Sequence, residues 1–145
     1  MKRNWIVIAL VAVMGLAVVG VAAAERIKGT TGADQLSGTA AADGIRGLAG
    51  DGNDRVYGGP GNDTIDGGNG NDRIWVGRGT DVASGGAGND RIYMLAKDGN
   101  ADSVDCGAGT DVVWVNSAES SDTYTNCEVV RTVTFSGAKA PARRR

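Results

Sequence analysis

Five aspartates stand nine residues apart without a break: Asp54, Asp63, Asp72, Asp81 and Asp90. Two places before each is a glycine (Gly52, Gly61, Gly70, Gly79, Gly88), and two places after each is an apolar residue (Val56, Ile65, Ile74, Ala83, Ile92). Carboxylates beside a glycine-rich main chain offer hard oxygen donors, from the side chains and from the turn carbonyls. Such donors suit Ca²⁺, which accepts about 6–8 oxygens in flexible geometry, better than Mg²⁺, which demands a near-ideal octahedron. The chain has no histidine and only two cysteines, Cys106 and Cys127, without paired CxxC spacing. Zinc and copper are therefore disfavoured as the metal. The same lack of histidine removes the usual general base and any Ser-His or Cys-His nucleophile pair. With no HExxH and no G-x-S-x-G segment, the sequence gives no ground for an enzyme.

Positioning these carboxylates requires a repeated element. Residues 50–93 divide into five units of nine, the first lacking its leading glycine (Ala49 stands there), each with a stretch rich in Gly, Asn and Asp followed by three residues with an apolar centre. This spells a turn and then a short strand, with glycine where the backbone takes positive φ. The eighth residue of a unit points inward and its neighbours outward. One such strand cannot bury its single apolar residue, but a stack of them can. If two units make one turn of a flattened coil, residues eighteen apart stack about 4.8 Å from each other. Asp54, Asp72 and Asp90 then form one column, and Asp63 and Asp81 the other. Carboxylates about 5 Å apart repel by roughly 3 kcal/mol at an effective dielectric of 20, so such a column calls for a cation between its rungs. A single Asn-Asp or Asp-Gly pair reads simply as turn capping; five in unbroken register read as cation ligands.

The units GGPGNDTID, GGNGNDRIW and GGAGNDRIY resemble the G-G-x-G-x-D-x-U-x nonapeptide of the RTX (haemolysin-type) calcium-binding repeats. The resemblance spans roughly residues 29–114, with 50–93 as its core. It implies an all-β fold, a right-handed parallel β-roll. It also implies Ca²⁺ held between turns by the repeat aspartates and by main-chain oxygens of the glycine turns, here Gly50, Gly52, Gly59, Gly61, Gly68, Gly70, Gly77, Gly79, Gly86 and Gly88. In the fourth unit Val76 stands for the first glycine and Thr80 for asparagine, which weakens the match there. Large members of the family also carry enzymatic or pore-forming domains. Nothing in this sequence matches those, so toxin activity is not carried over.

The flanks are organised around this core. Residues 1–24 read as an export signal, with Lys2 and Arg3 ahead of an apolar run and Ala22-Ala23-Ala24 as a small-residue cleavage site. Uncleaved, the uncharged stretch from Asn4 to Ala24 is long enough to span a membrane. Either way the remainder is expected outside the cytoplasm, secreted. Residues 25–49 read as degenerate repeats forming an N-terminal cap, with Asp34 and Asp43 as further candidate ligands and threonine in place of the second glycine. Residues 94–135 read as degenerate repeats and a C-terminal cap strand, with Asp102 and Asp111 as candidate ligands and an alternating closing segment, VVRTVTF. In an exported chain Cys106 and Cys127 are expected to form a disulfide, with free or redox-active thiols as the alternative. Residues 136–145 read as a disordered basic tail.

A second periodicity of eighteen places Arg55, Arg73 and Arg91 in one outward column and Tyr57, Trp75 and Tyr93 in another, which Trp114 can extend. Cross-strand aromatic packing accounts for such a ladder. An exposed platform for a partner accounts for it as well. Two functions follow: an exported calcium-binding roll with a structural or interaction role, or a calcium-dependent surface adhesin or glycan-binding protein using the Arg/aromatic face. With 15 basic residues against 17 acidic ones, no basic patch suggests nucleic acid. The inward column is too small to offset the ordering of so many residues, so folding is expected to depend on Ca²⁺.

Overall fold

The computed structural model describes residues 24–47 and 52–135; the expected leader, Gly50 and the basic tail lie outside the described residues. Among the described residues short strands follow one another with no helix between them: β1 (Arg26–Lys28), β2 (Gln35–Ser37), β3 (Gly44–Arg46), β4 (Arg55–Tyr57), β5 (Thr64–Asn69) and β6 (Arg73–Trp75). They continue as β7 (Val82–Ala87), β8 (Arg91–Met94), β9 (Ser103–Asp105), β10 (Val112–Asn116), β11 (Thr123–Thr125) and β12 (Val129–Val133). Odd-numbered strands form one parallel sheet in the order β1-β3-β5-β7-β9-β11. Even-numbered strands form a second in the order β12-β10-β8-β6-β4-β2. Two repeat units therefore make one turn, and about six turns stack into a β-solenoid consistent with a β-roll.

Register follows the sequence period. Ile74 pairs with Val56 on one side and Ile92 on the other, eighteen residues each way. The insertions on either side of the core lengthen the turns without shifting the pleat: Leu36 still pairs with Val56, and Ala83 with Val104. A register error of one residue would turn every apolar side chain to solvent, so the extra residues go to the turns.

The core consists of the eighth-place residues Leu36, Ile45, Val56, Ile65, Ile74, Ala83, Ile92, Val104 and Val113, together with Val76, Met94, Cys106 and Val115. The last four reveal a second inward place, the first residue of the unit. Val76 is thus a fully buried core residue, where the sequence alone suggested only a lost glycine. The structure also moves the start of the unit containing Asp54. Gly47 donates its N–H to the ninth residue of the next turn, Asp66, as Gly58 does to Trp75, and so takes the first place. Cys106 and Cys127 are bonded to each other, with Cα atoms 5.2 Å apart, and join the last two turns.

Candidate metal-binding columns

Each repeat aspartate uses its two carboxylate oxygens differently. Oδ1 accepts the backbone N–H of the aspartate one turn earlier: Asp54 from Asp34 at 2.8 Å, Asp72 from Asp54 at 2.8 Å, Asp90 from Asp72 at 2.8 Å and Asp111 from Asp90 at 2.7 Å. The second column repeats this from Asp43 to Asp63, Asp81 and Asp102, at 2.7–2.9 Å. At the far end Asp122 and Glu128 take the place of the repeat aspartate. The two columns expected from the period are therefore present, and each is held by a main-chain-to-carboxylate ladder.

Oδ2 is the chemically open atom. In Asp54, Asp63, Asp72, Asp81, Asp90 and Asp111 it is buried and has no hydrogen-bond partner. An unpartnered buried carboxylate oxygen is costly, and six at one repeated position point to a ligand that supplies positive charge. The donor set fits Ca²⁺ on this ground. Among the described residues no three acidic, histidine or cysteine side chains converge on one point, so main-chain oxygens must complete any site. The carbonyls of Gly52, Gly61, Gly70 and Gly88 accept no main-chain hydrogen bond among the described turn and loop contacts. Each lies against the fourth-place glycine of the following turn; at Gly70, a Cβ would come 1.8 Å from the Gly52 carbonyl oxygen. The turns also keep room around Oδ2. A Cβ on Gly67 would come 2.6 Å from Asp72 Oδ2 and 2.4 Å from the Gly85 carbonyl oxygen. Gly68 and Gly70 take φ of 100° and 121°, a conformation open to glycine at little cost.

The structure divides the nine aspartates named from the sequence. At Asp34 and Asp43, Oδ2 accepts both the N–H and the hydroxyl of a threonine four residues earlier, Thr30 and Thr39. Threonine in the second place thus supplies by hydrogen bonding what the core units leave open. The first place of the unit varies within both columns. Ahead of Asp34, Asp43, Asp54, Asp63, Asp72 and Asp90 it is glycine, at Gly29, Gly38, Gly47, Gly58, Gly67 and Gly85. Ahead of Asp81, Asp102 and Asp111 it is Val76, Met94 and Cys106, whose side chains fill the interior. The asparagines of the fifth place, which in the sequence carry only a turn signal, add a contact of their own. Asn53 and Asn71 accept the N–H of Asn71 and Asn89 at 2.7 Å, a third ladder at period eighteen.

Burial pushes the carboxyls of Asp72 and Asp81 up to about 7 and those of Asp90 and Asp102 up to about 6. The hydrogen bond from the preceding turn opposes this, and carboxylates elsewhere in the cluster reinforce it. Asp54, Asp63, Asp111 and Asp122 are raised for the same leading reason. Asp98, in the insertion, moves the other way. Burial works against its charge, but N–H groups of Asn100 and Gly79 hold it below the usual range.

On the outer side of the second sheet, Arg55, Arg73 and Arg91 align in register. Beside them Tyr57, Trp75, Tyr93 and Trp114 stack with ring centroids 4.5–4.9 Å apart and interplanar angles of 8–16°. Arg131 covers the end of the stack, its guanidinium carbon 5.9 Å from the Trp114 ring centre. The inner rings cover one another's faces. The other sheet shows Thr64, Asp66, Val82 and Ser84 outward, with Arg46 near Asp66 at 3.8 Å.

The family model of the RTX calcium-binding nonapeptide repeat matches the chain in four copies, over residues 19–51, 48–83 and 75–93. Comparison with curated proteins and with solved structures gives no match.

Proposed function

Because this chain belongs to the RTX calcium-binding nonapeptide-repeat family, we propose that it is an exported, non-catalytic calcium-binding β-roll with a structural or interaction role, whose folding is coupled to the ion. The observation that carries this reading is the set of six buried, unpartnered Oδ2 atoms in register on two columns. Asp54, Asp63, Asp72, Asp81, Asp90 and Asp111 would hold the ion together with glycine-turn carbonyls such as those of Gly52, Gly61, Gly70, Gly79 and Gly88. Bound Ca²⁺ supplies the charge that lets the columns stay ionised inside the roll. The protein's own part is to aim the carboxylates through the Oδ1 ladder and to keep the turns open with glycine. Extracellular calcium modules bind at about 10⁻⁴–10⁻³ M, so the ion would gate folding on leaving a low-calcium compartment. Far-UV circular dichroism tests this: the β signal should develop as Ca²⁺ is titrated from chelator through that range. An identical β signal in chelator and in Ca²⁺ overturns the coupling.

A second reading, a calcium-dependent surface or glycan-binding protein, is favoured by an open groove lined by Pro60, Trp75, Arg78, Tyr93, Lys97 and Phe135. It combines ring edges with two cations, a combination that suits an acidic glycan better than a neutral one, since the inner ring faces are taken up in the stack. Pull-down on cell wall and on acidic polysaccharide, with and without Ca²⁺, separates the two readings. Calcium-dependent retention that Arg78→Ala or Lys97→Ala abolishes supports the second.

A further inference from the structure

The two ends of the roll carry complementary halves of the contacts that join its turns. In the interior, the residue after each repeat aspartate donates its N–H to the sixth-place carbonyl one turn back, as in Arg73 to Asp54 and Val129 to Asp111. At the C-terminal end the last sixth-place residues are Asp122 and Glu128. Their side chains accept N–H bonds from Asp102 and Asp111, but no following turn engages their own N–H and carbonyl groups among the described residues. The inward positions of this last turn, Tyr124 and Val130, are 40% and 42% exposed. Their counterparts one turn back, Val104 and Val113, are at most 2% exposed. At the N-terminal end the matching groups are Glu25 and Asp34. The Oδ1 of Asp34 receives no N–H among the described residues, and by the interior pattern the N–H groups of Arg26 and Gln35 point away from the described turns, to where one more turn would stack. Ile27 and Leu36 are the inward residues there.

We propose that the roll associates head to tail with a second copy of itself, the first turn of one chain docking on the last turn of another. Thr123–Thr125 would pair with Arg26–Lys28, and Val129–Arg131 with Gln35–Ser37, continuing both sheets. Tyr124 and Val130 would be covered by Ile27 and Leu36. The N–H groups of Asp122 and Glu128 would find the carboxylates of Glu25 and Asp34, and their carbonyls the N–H groups of Arg26 and Gln35. Unpaired parallel edges template such pairing. Because front and back are different surfaces, the contact is heterologous and does not close on itself, giving open rods. The inference rests on the calcium reading only in that the roll must be folded.

Sedimentation velocity on the purified chain in Ca²⁺, over a wide range of protein concentration and with circular dichroism recorded on the same samples, tests it. Wild type should show species that grow with concentration and disappear in chelator. Val130→Lys (back) and Gln35→Pro (front) should each abolish association while keeping the β signal, and a mixture of the two should yield discrete dimers. A folded wild type that stays monomeric at every concentration overturns the proposal. So does association that appears only after deletion of residues 1–24 or 136–145, since one of those segments would then be the occupant of an end. Loss of the β signal in wild-type chain with Ca²⁺ would instead strike at the calcium reading.

Discussion

Asp72 Oδ1 accepts the backbone N–H of Asp54 at 2.8 Å, while the other oxygen of the same carboxylate is buried without a partner. One side chain is thus a structural clamp between turns and an open ligand at once. Substitution can separate the two roles. Asp72→Asn keeps an oxygen for the Asp54 N–H but loses the charge, so its main effect should be weaker Ca²⁺ binding. Asp72→Ala also strands a buried N–H, which costs about 1–3 kcal/mol more. Calcium titration together with urea unfolding at saturating Ca²⁺ checks both. Equal stability of the two variants would show that the ladder carries no weight.

The raised carboxyls set a pH dependence whose sign reverses with the ion. Asp72 and Asp81 at about 7, and Asp90 and Asp102 at about 6, lie above the ordinary value these groups have when unfolded. Between about pH 4 and 7 the metal-free roll therefore binds more protons than the unfolded chain. Its stability should rise as pH falls from 7 toward 4 and be lost as pH rises through 7. Calcium requires the ionised form, so its affinity should rise with pH over the same window and level off above about 7. The far-UV β signal in chelator and the denaturant midpoint in Ca²⁺, measured at pH 5, 6 and 8, should change with pH in opposite directions. A chelator series that gains stability with rising pH contradicts the assignment.

The first place of the unit supports a paired test. Val76 is fully buried among the eighth-place residues, and Val76→Gly should lower stability by about 2–3 kcal/mol through lost apolar burial and added chain entropy. The reverse change, Gly67→Val, should be worse. Its Cβ would fall 2.4 Å from the Gly85 carbonyl oxygen and 2.6 Å from Asp72 Oδ2, so calcium-induced folding should fail. If Gly67→Val folds with unaltered calcium affinity, the space around Oδ2 is not the binding space.

These residues also mark how far the sequence could be read. Period nine located the aspartates and the inward eighth place, and period eighteen located the two columns and the aromatic stack, because a solenoid turns linear spacing directly into neighbourhood. What depended on a particular atom's partner was not visible. Thr30 and Thr39 appeared as degenerate glycines, although they close the Oδ2 of Asp34 and Asp43. Val76 appeared as a defect because only the folded coil shows that the first place also faces the core. The insertions were plain in the spacing, yet that Gly47 and Met94 still keep the register of the coil is fixed by main-chain bonding that no side-chain pattern records.

Trp75 sits between Tyr57 and Tyr93, at 4.5 and 4.9 Å, nearly parallel to both. Each aromatic pair contributes about 0.5–1.5 kcal/mol beyond its area burial, so Trp75→Ala should cost about 1–3 kcal/mol of stability in saturating Ca²⁺. Trp75→Tyr should restore most of that, since it rebuilds both stacks. The ladder lies on the outer side of the second sheet, away from the Oδ2 columns, so the calcium midpoint should move only as far as the lost stability moves it. Thermal unfolding and calcium titration on the three proteins check this. If Trp75→Ala matches wild type in both measurements, the stack is dispensable to the fold, and its exposed edges then have to be accounted for by a partner.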